Sequence, residues 1–274
     1  MNDAAHVAPA LYDTIGIGYA THRCAEPRIV DKIIELLGLK AGATLAEIGA
    51  GTGNYSRALA DAGFHVQTVE PSAAMRAQSI PHERVAWNVG FAEQLPLGDA
   101  SVDGVVCILA VHHFTSRAKA FREMARVCPR GPIVVFAHDV GFAVDPWFAH
   151  YFPRLWSDAT AACPSTQELI DTFEAAGRAA RSLPFEVPHD IRDAFMAAGW
   201  RRPEMYLDPE IRRGISGFAL SDQSEIDKGL RRLQADIADG TWRTKYAELL
   251  SRESIDWGYR FVYCESVLAT LPKM

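Results

Sequence analysis

Gly49, Gly51 and Gly53 stand at alternate positions in LAEIGAGTGN (45–54), just after a short apolar run that contains Glu47. Alternate glycines let a ligand lie against bare backbone, and such a turn between a strand and a helix is a usual place for a nucleotide. The dinucleotide pattern G-x-G-x-x-G would require Gly or Ala at position 54. This chain has Asn54, so the pattern is G-x-G-x-G and hydride transfer is disfavoured. Glu70 closes the next apolar segment, HVQTVE. An acid about twenty residues beyond the glycines is placed to accept hydrogen bonds from both hydroxyls of a ribose. Two histidine pairs could move protons: His112-His113 after DGVVCILAV, and His138-Asp139 after PIVVFA. Imidazole titrates close to neutral pH, which suits proton removal from an amine or phenol. Read as neighbours on a strand, His112 and His113 point to opposite sides, so one of them faces a cleft and no metal-ligand spacing results.

These residues need a scaffold that brings strand ends together. Short apolar strands are expected at 44–48, 65–70, 85–89, 103–111 and 132–137, with helices at 27–39, 54–61, 72–78 and 118–127. Pro27 suits a first helical turn, Gly38 a helix end and Ser72 a helix cap. Strands alternating with helices at this spacing indicate an α/β fold with a mostly parallel sheet covered on both faces. Its ligands belong at the carboxyl ends of the strands. A helix at 165–176, a sixth strand at 181–187 and a last strand at 259–268 complete a seven-stranded sheet. Between the last two lies a largely helical, charged and aromatic stretch, 190–253. It reads as an insertion into a core formed by 1–189 and 254–274, with 1–26 as an N-terminal cap segment.

Of the 274 residues, 49% are hydrophobic and 23% charged, with a net charge of −6. A nucleic-acid-binding face would be basic; the short clusters Arg201-Arg202, Arg212-Arg213 and Arg231-Arg232 read as solvated helix faces. The five cysteines form no CxxC pair, which argues against a zinc site and fits a reducing compartment. No secretory leader or membrane span is legible. A soluble cytoplasmic protein without nucleic-acid or membrane partners is therefore expected.

LAEIGAGTGNYSRAL, TVEPS and GFAEQLPLGDASVDGVVCILAVHHF together resemble the signature segments of class I S-adenosylmethionine-dependent methyltransferases, and more narrowly the small-molecule group related to ubiquinone/menaquinone-type enzymes. The resemblance covers about 12–139. It implies a Rossmann-like fold and S-adenosylmethionine as cofactor, with Glu47, Gly49, Gly51 and Gly53 under its methionine and ribose. It further implies Glu70 on the ribose hydroxyls, Ala92 at the adenine edge, and Leu109 and Ala110 beside the methionine. Many relatives carry Asp where this chain has Phe91, which cannot accept a hydrogen bond and is expected to pack on the adenine. The leading segment YDTIGIGYATHRCAEPRI implies that Tyr12, Tyr19 and Arg23 close over the methionine carboxylate. A histidine base with an N-terminal tyrosine beside it maps onto His113 and Tyr19.

Methyl transfer is an in-line displacement that depends chiefly on alignment. The acceptor site must come from unshared segments. The insertion is expected to form a lid, with His138, Trp147, Tyr151 and Tyr206 lining an aromatic pocket for a small molecule. Two alternatives keep the same cofactor. One is intramolecular cyclisation to azetidine-2-carboxylate with release of methylthioadenosine; the other is a non-catalytic sensor.

Overall fold

The computed structural model describes residues 12–15, 23–142 and 146–267. One seven-stranded sheet runs through it in the order β3-β2-β1-β4-β5-β7-β6. The strands are β1 (Thr44–Ile48), β2 (His65–Val69), β3 (Val85–Asn88), β4 (Gly104–Ile108), β5 (Ile133–His138), β6 (Arg181–Pro188) and β7 (Ser254–Cys264). Strands β1 to β5 pair in parallel, and β7 pairs antiparallel with both β5 and β6. Strand β6 therefore runs in the same direction as β1 to β5, although both of its neighbour contacts are antiparallel. The strand order reverses between β1 and β4, which places the switch-point crevice beside the glycine turn.

The helices are α1 (Tyr12–Ile15), α2 (Pro27–Leu37), α3 (Asn54–Asp61), α4 (Ala73–Arg76), α5 (Arg117–Val127), α6 (Pro153–Ala161) and α7 (Thr166–Ala175). Helices α8 (Pro209–Arg213), α9 (Ser216–Leu220), α10 (Gln223–Ala238) and α11 (Thr241–Lys245) lie between β6 and β7. Helix α2 buries Ile29, Val30, Ile33 and Leu37, one stripe at helical spacing. Gly38 ends it in the left-handed conformation, at φ 59°, with its N–H on the Ile34 carbonyl.

Strands β4 and β5 are buried on both sides, and their alternate residues feed two cores. Val106, Ile108, Val134 and Phe136 join α2 and α3. Val105, Cys107, Val135 and Ala137 join α5 and α7. A strand covered on both faces must be apolar throughout, which is why DGVVCILAV carries no alternation.

Three sequence expectations are corrected here. The apolar run after Gly104 is strand only as far as Ile108; Val111–His113 form a 3-10 turn. Between β5 and α7 lie the 3-10 turn Trp147–His150 and helix α6. Strand β7 begins at Ser254, five residues earlier than expected, and ends at Cys264. Gly258 disguises its start: it has φ 83°, and the Asp256 carboxylate accepts its N–H, a combination that resembles a turn in sequence.

The third, concerning the aromatics, is the largest. Trp147, Tyr151 and Tyr206 line neither of the two cavities at the strand ends. They are 2%, 4% and 0% exposed and build the core shared by stretch 140–163 and the insertion. The Trp147 indole N–H donates to the Trp200 carbonyl, the Tyr206 hydroxyl to the Met196 carbonyl and the Tyr151 hydroxyl to Asp236. The Trp147 ring meets Trp242 and Tyr206 edge-on at 5.2 and 5.5 Å. Rings whose polar atoms are already satisfied inside the protein serve packing. No helix among the described residues is long and apolar enough to cross a membrane.

Candidate active site

The turn after β1 is shaped by steric exclusion. Gly49 has φ 72°, and a Cβ there would lie 2.6 Å from the Ala110 Cβ, well inside contact distance. Its N–H donates to the Val69 carbonyl. Gly53, at φ 77°, sits against the Trp87 ring, 2.7 Å from a notional Cβ. Unlike Gly49 and Gly51 it does not line the cavity; it starts α3 and packs that helix on β3.

Glu70 reaches over this turn. One carboxylate oxygen accepts from the Gly51 N–H at 2.9 Å and the other from the Ser72 N–H at 2.8 Å. Burial raises its pKa, and the two backbone donors oppose that rise. Each oxygen keeps lone-pair capacity for one further donor, which matches the two hydroxyls of a ribose. Glu47 is buried beneath the turn and accepts from the Ser56 hydroxyl. Burial pushes its carboxyl up to about 8.

Asn54, the residue that breaks the dinucleotide pattern, donates its side-chain amide to the Arg23 carbonyl at 2.8 Å. The Arg23 guanidinium forks onto Asp193, with Nε–Oδ1 2.5 Å and Nη2–Oδ2 3.2 Å, and also reaches the Gly214 carbonyl. Its fork is thus engaged by a carboxylate of this chain, which the sequence did not suggest. Tyr55 donates to the same Asp193. Asp193 comes from the insertion and no local motif marks it.

Two cavities meet at this point. The first, about 360 Å³, is lined by Glu47, Gly49, Gly51, Glu70, Phe91, Ala92 and Ala110. The second, about 440 Å³, lies between the ends of β4 and β5 and helices α6 and α9, with His138 in its wall. Tyr12, Arg23, Leu109 and His113 line both. Leu109 has φ 51°, a left-handed conformation that costs a non-glycine residue about 1 kcal/mol or more. That outlier falls on the common wall.

His112 and His113 both face the second cavity, because a 3-10 turn does not alternate side chains as a strand would. The Tyr12 hydroxyl lies 3.0 Å from His113 Nε2. His113 is exposed and lines both cavities, yet the surrounding walls push its pKa down to about 4 by desolvation. Burial raises the Tyr12 pKa. Both members of the pair are therefore neutral near pH 7. The tyrosine beside His113 is Tyr12; Tyr19 lies outside the described residues.

His138 is also pushed down to about 4 by burial, partly offset by the Trp257 backbone. Asp139 is not its partner, since that carboxylate accepts from the Gly141 and Thr166 N–H groups and the Thr166 hydroxyl. Among the described residues no cluster of three or more His, Cys, Asp or Glu could hold a metal. An acid offering two acceptors, a glycine turn without room for a Cβ and a cavity of nucleoside size fit S-adenosylmethionine.

Comparison with known proteins agrees. Residues 46–136 match the family described as methyltransferase domain. Over 152 residues the chain is 33% identical to a ubiquinone/menaquinone biosynthesis C-methyltransferase of Rubrivivax gelatinosus, covering 54% of this chain and 58% of that protein. The chain spans between 52% and 58% of the length of the first three curated relatives it matches. A crystal structure from Anabaena variabilis, described as a methyltransferase from an antibiotic biosynthesis pathway, is 48% identical. It superposes with a TM-score of 0.86 over 89% of this chain and 99% of that one. Phosphoethanolamine N-methyltransferase 2 of Haemonchus contortus, solved with S-adenosylmethionine, shares the fold at a TM-score of 0.54 and 16% identity, over 88% of this chain and 52% of that one. Matched in sequence along its glycine turn and in fold along nearly its whole length, the chain belongs to the S-adenosylmethionine-dependent methyltransferases.

Proposed function

We propose that this enzyme transfers the methyl group to a small-molecule acceptor held in the second cavity. The observation that carries this reading is the wall common to the two cavities, formed by Tyr12, Arg23, Leu109 and His113. Bound S-adenosylmethionine supplies a methyl group activated by its sulfonium. Glu70 holds the ribose hydroxyls, the Gly49–Gly53 turn underlies the sugar and methionine, and the backbone at Ala92 meets the adenine edge. Phe91, 40% exposed at the cleft, packs on the adenine face. Arg23, oriented by Asp193, faces the methionine carboxylate.

Tyr12 and His113 act as one proton-accepting unit. The acceptor heteroatom gives its proton to the Tyr12 oxygen as Tyr12 passes its own to His113 Nε2. Neither group has to be ionised beforehand. Stretch 190–253, packed against α6, forms a lid that excludes water. It leaves the sheet at the carboxyl end of β6, on the side where the glycine turn lies. Five free cysteines suit a reducing cytoplasm.

A chamber of this size beside the cofactor cleft weighs against intramolecular cyclisation, which needs no acceptor room. The test is incubation with S-adenosylmethionine alone, followed by mass spectrometry. The expected result is cofactor retained without turnover, and S-adenosylhomocysteine once an acceptor is supplied. Methylthioadenosine accumulating over many turnovers would replace this reading with the cyclase.

A further inference from the structure

The adenine end of the first cavity poses a chemical problem. The 6-amino group of adenine is a hydrogen-bond donor, and a donor buried without an acceptor is strongly unfavourable. Phe91 lines this wall and offers no acceptor. Among the described residues four carboxylates line the cavity: Glu47, Glu70, Glu93 and Asp193. Three are already engaged. Glu47 lies beneath the glycine turn and accepts from the Ser56 hydroxyl. Glu70 is held by the Gly51 and Ser72 N–H groups. Asp193 takes the Arg23 fork and the Tyr55 hydroxyl.

Glu93 is different. It stands next to Ala92 and two residues beyond Phe91, and it is half-buried. Its Oε1 accepts from the Thr115 hydroxyl at 2.9 Å and from the Ser116 N–H at 3.0 Å. Those two donors use both lone pairs of that oxygen and pin the carboxylate. Oε2 takes part in no hydrogen bond among the described residues. A carboxylate oxygen with its acceptor capacity intact therefore stands at the wall formed by Phe91 and Ala92.

We propose that Glu93 Oε2 accepts a hydrogen bond from the adenine 6-amino group. The Phe91 ring covers the base and the Glu93 carboxylate reads it. This rests on the cofactor pose of the proposed function, with the base against Ala92. Glu93 is then the residue that selects a 6-amino purine, since a 6-oxo group would set an acceptor against the carboxylate. The same side chain fixes Thr115 and Ser116, two and three residues after His113, so base recognition and the histidine turn share one anchor.

The test is calorimetric binding of S-adenosylhomocysteine and of its 6-deamino analogue, which carries hydrogen in place of the amino group and keeps N1 as an acceptor. The wild type should bind S-adenosylhomocysteine at least about tenfold more tightly, the worth of one charge-assisted hydrogen bond. Glu93→Gln keeps an oxygen for the Thr115 and Ser116 donors and turns its NH2 towards the amino group. It should reduce the preference to about twofold or less and leave affinity for the deamino analogue unchanged. A wild type without preference overturns the inference. So does a Glu93→Gln protein that keeps the full preference, or one that weakens both ligands alike, as a residue that only holds the loop would. Glu70→Ala is measured alongside. If it weakens S-adenosylhomocysteine while Glu93→Gln leaves the preference intact, this inference alone falls. If Glu70→Ala leaves binding unchanged, the cofactor pose falls and this inference with it.

Discussion

Glu70 shows how much of the site rests on single atoms. Its two oxygens are held by the Gly51 and Ser72 N–H groups with their outer lone pairs turned to the cleft. On the proposed reading Glu70→Ala would remove two charge-assisted hydrogen bonds to the ribose, together about 3 kcal/mol. Affinity for S-adenosylhomocysteine should fall by about a hundredfold, read by calorimetry; unchanged affinity would sink the site assignment. On the proposed mechanism His113 sets the pH behaviour. Its imidazole, with a pKa near 4, is neutral and competent at higher pH and is lost as a proton acceptor as pH falls through about 4. The kcat/KM profile should therefore be flat between about pH 5 and 8 with respect to this group, and an acid limb at 6 to 7 would contradict it. Stability carries the opposite face of the same shift. The unfolded histidine, with its ordinary pKa of about 6.5, binds protons that the folded one does not. Its contribution thus falls as pH drops from about 6.5 towards 4. His113→Phe should lose less thermal stability than the wild type between pH 7 and 5.

At the level of elements, the insertion is a folded unit tied to the core, and its aromatics are its ballast. Trp147→Ala empties a site that is 2% exposed and should cost about 3–5 kcal/mol, seen in denaturant unfolding. Tyr206→Phe removes the hydroxyl bonded to the Met196 carbonyl and should cost about 1–2 kcal/mol with the cofactor affinity unaltered. A change in cofactor affinity there would mean that the ring reaches the site after all. Asp193 joins the insertion to the N-terminal segment through Arg23 and to α3 through Tyr55. Asp193→Ala leaves the Arg23 charge without its partner and should destabilise by about 3 kcal/mol. It should also weaken cofactor binding, because Arg23 is then unanchored. Elements with strong local signals were legible in the sequence: α3 has the bounds read from its pattern, 54–61, and Ser72 caps α4 as its position suggested. Strand β7 was misjudged because Gly258 and Asp256 mimic a turn where the strand carries only a register shift in its pairing with β6.

Over the whole molecule, local rules and long-range assembly separate cleanly. The sequence by itself determined the parallel α/β core, the switch-point crevice, the glycine turn and Glu70. Each depends on periodicity or on steric needs that act over a few residues, and the chain carries them in one continuous half. Only the tertiary structure decided the rest. Tyr12 lies beside His113, Arg23 found Asp193 some 170 positions away, and the second cavity took its walls from α6 and α9. The aromatics that seemed suited to a pocket became core instead. An apolar ring reads alike in sequence whether it faces a ligand or a neighbouring side chain. Which of the two it meets depends on how distant segments pack, and no local pattern encodes that.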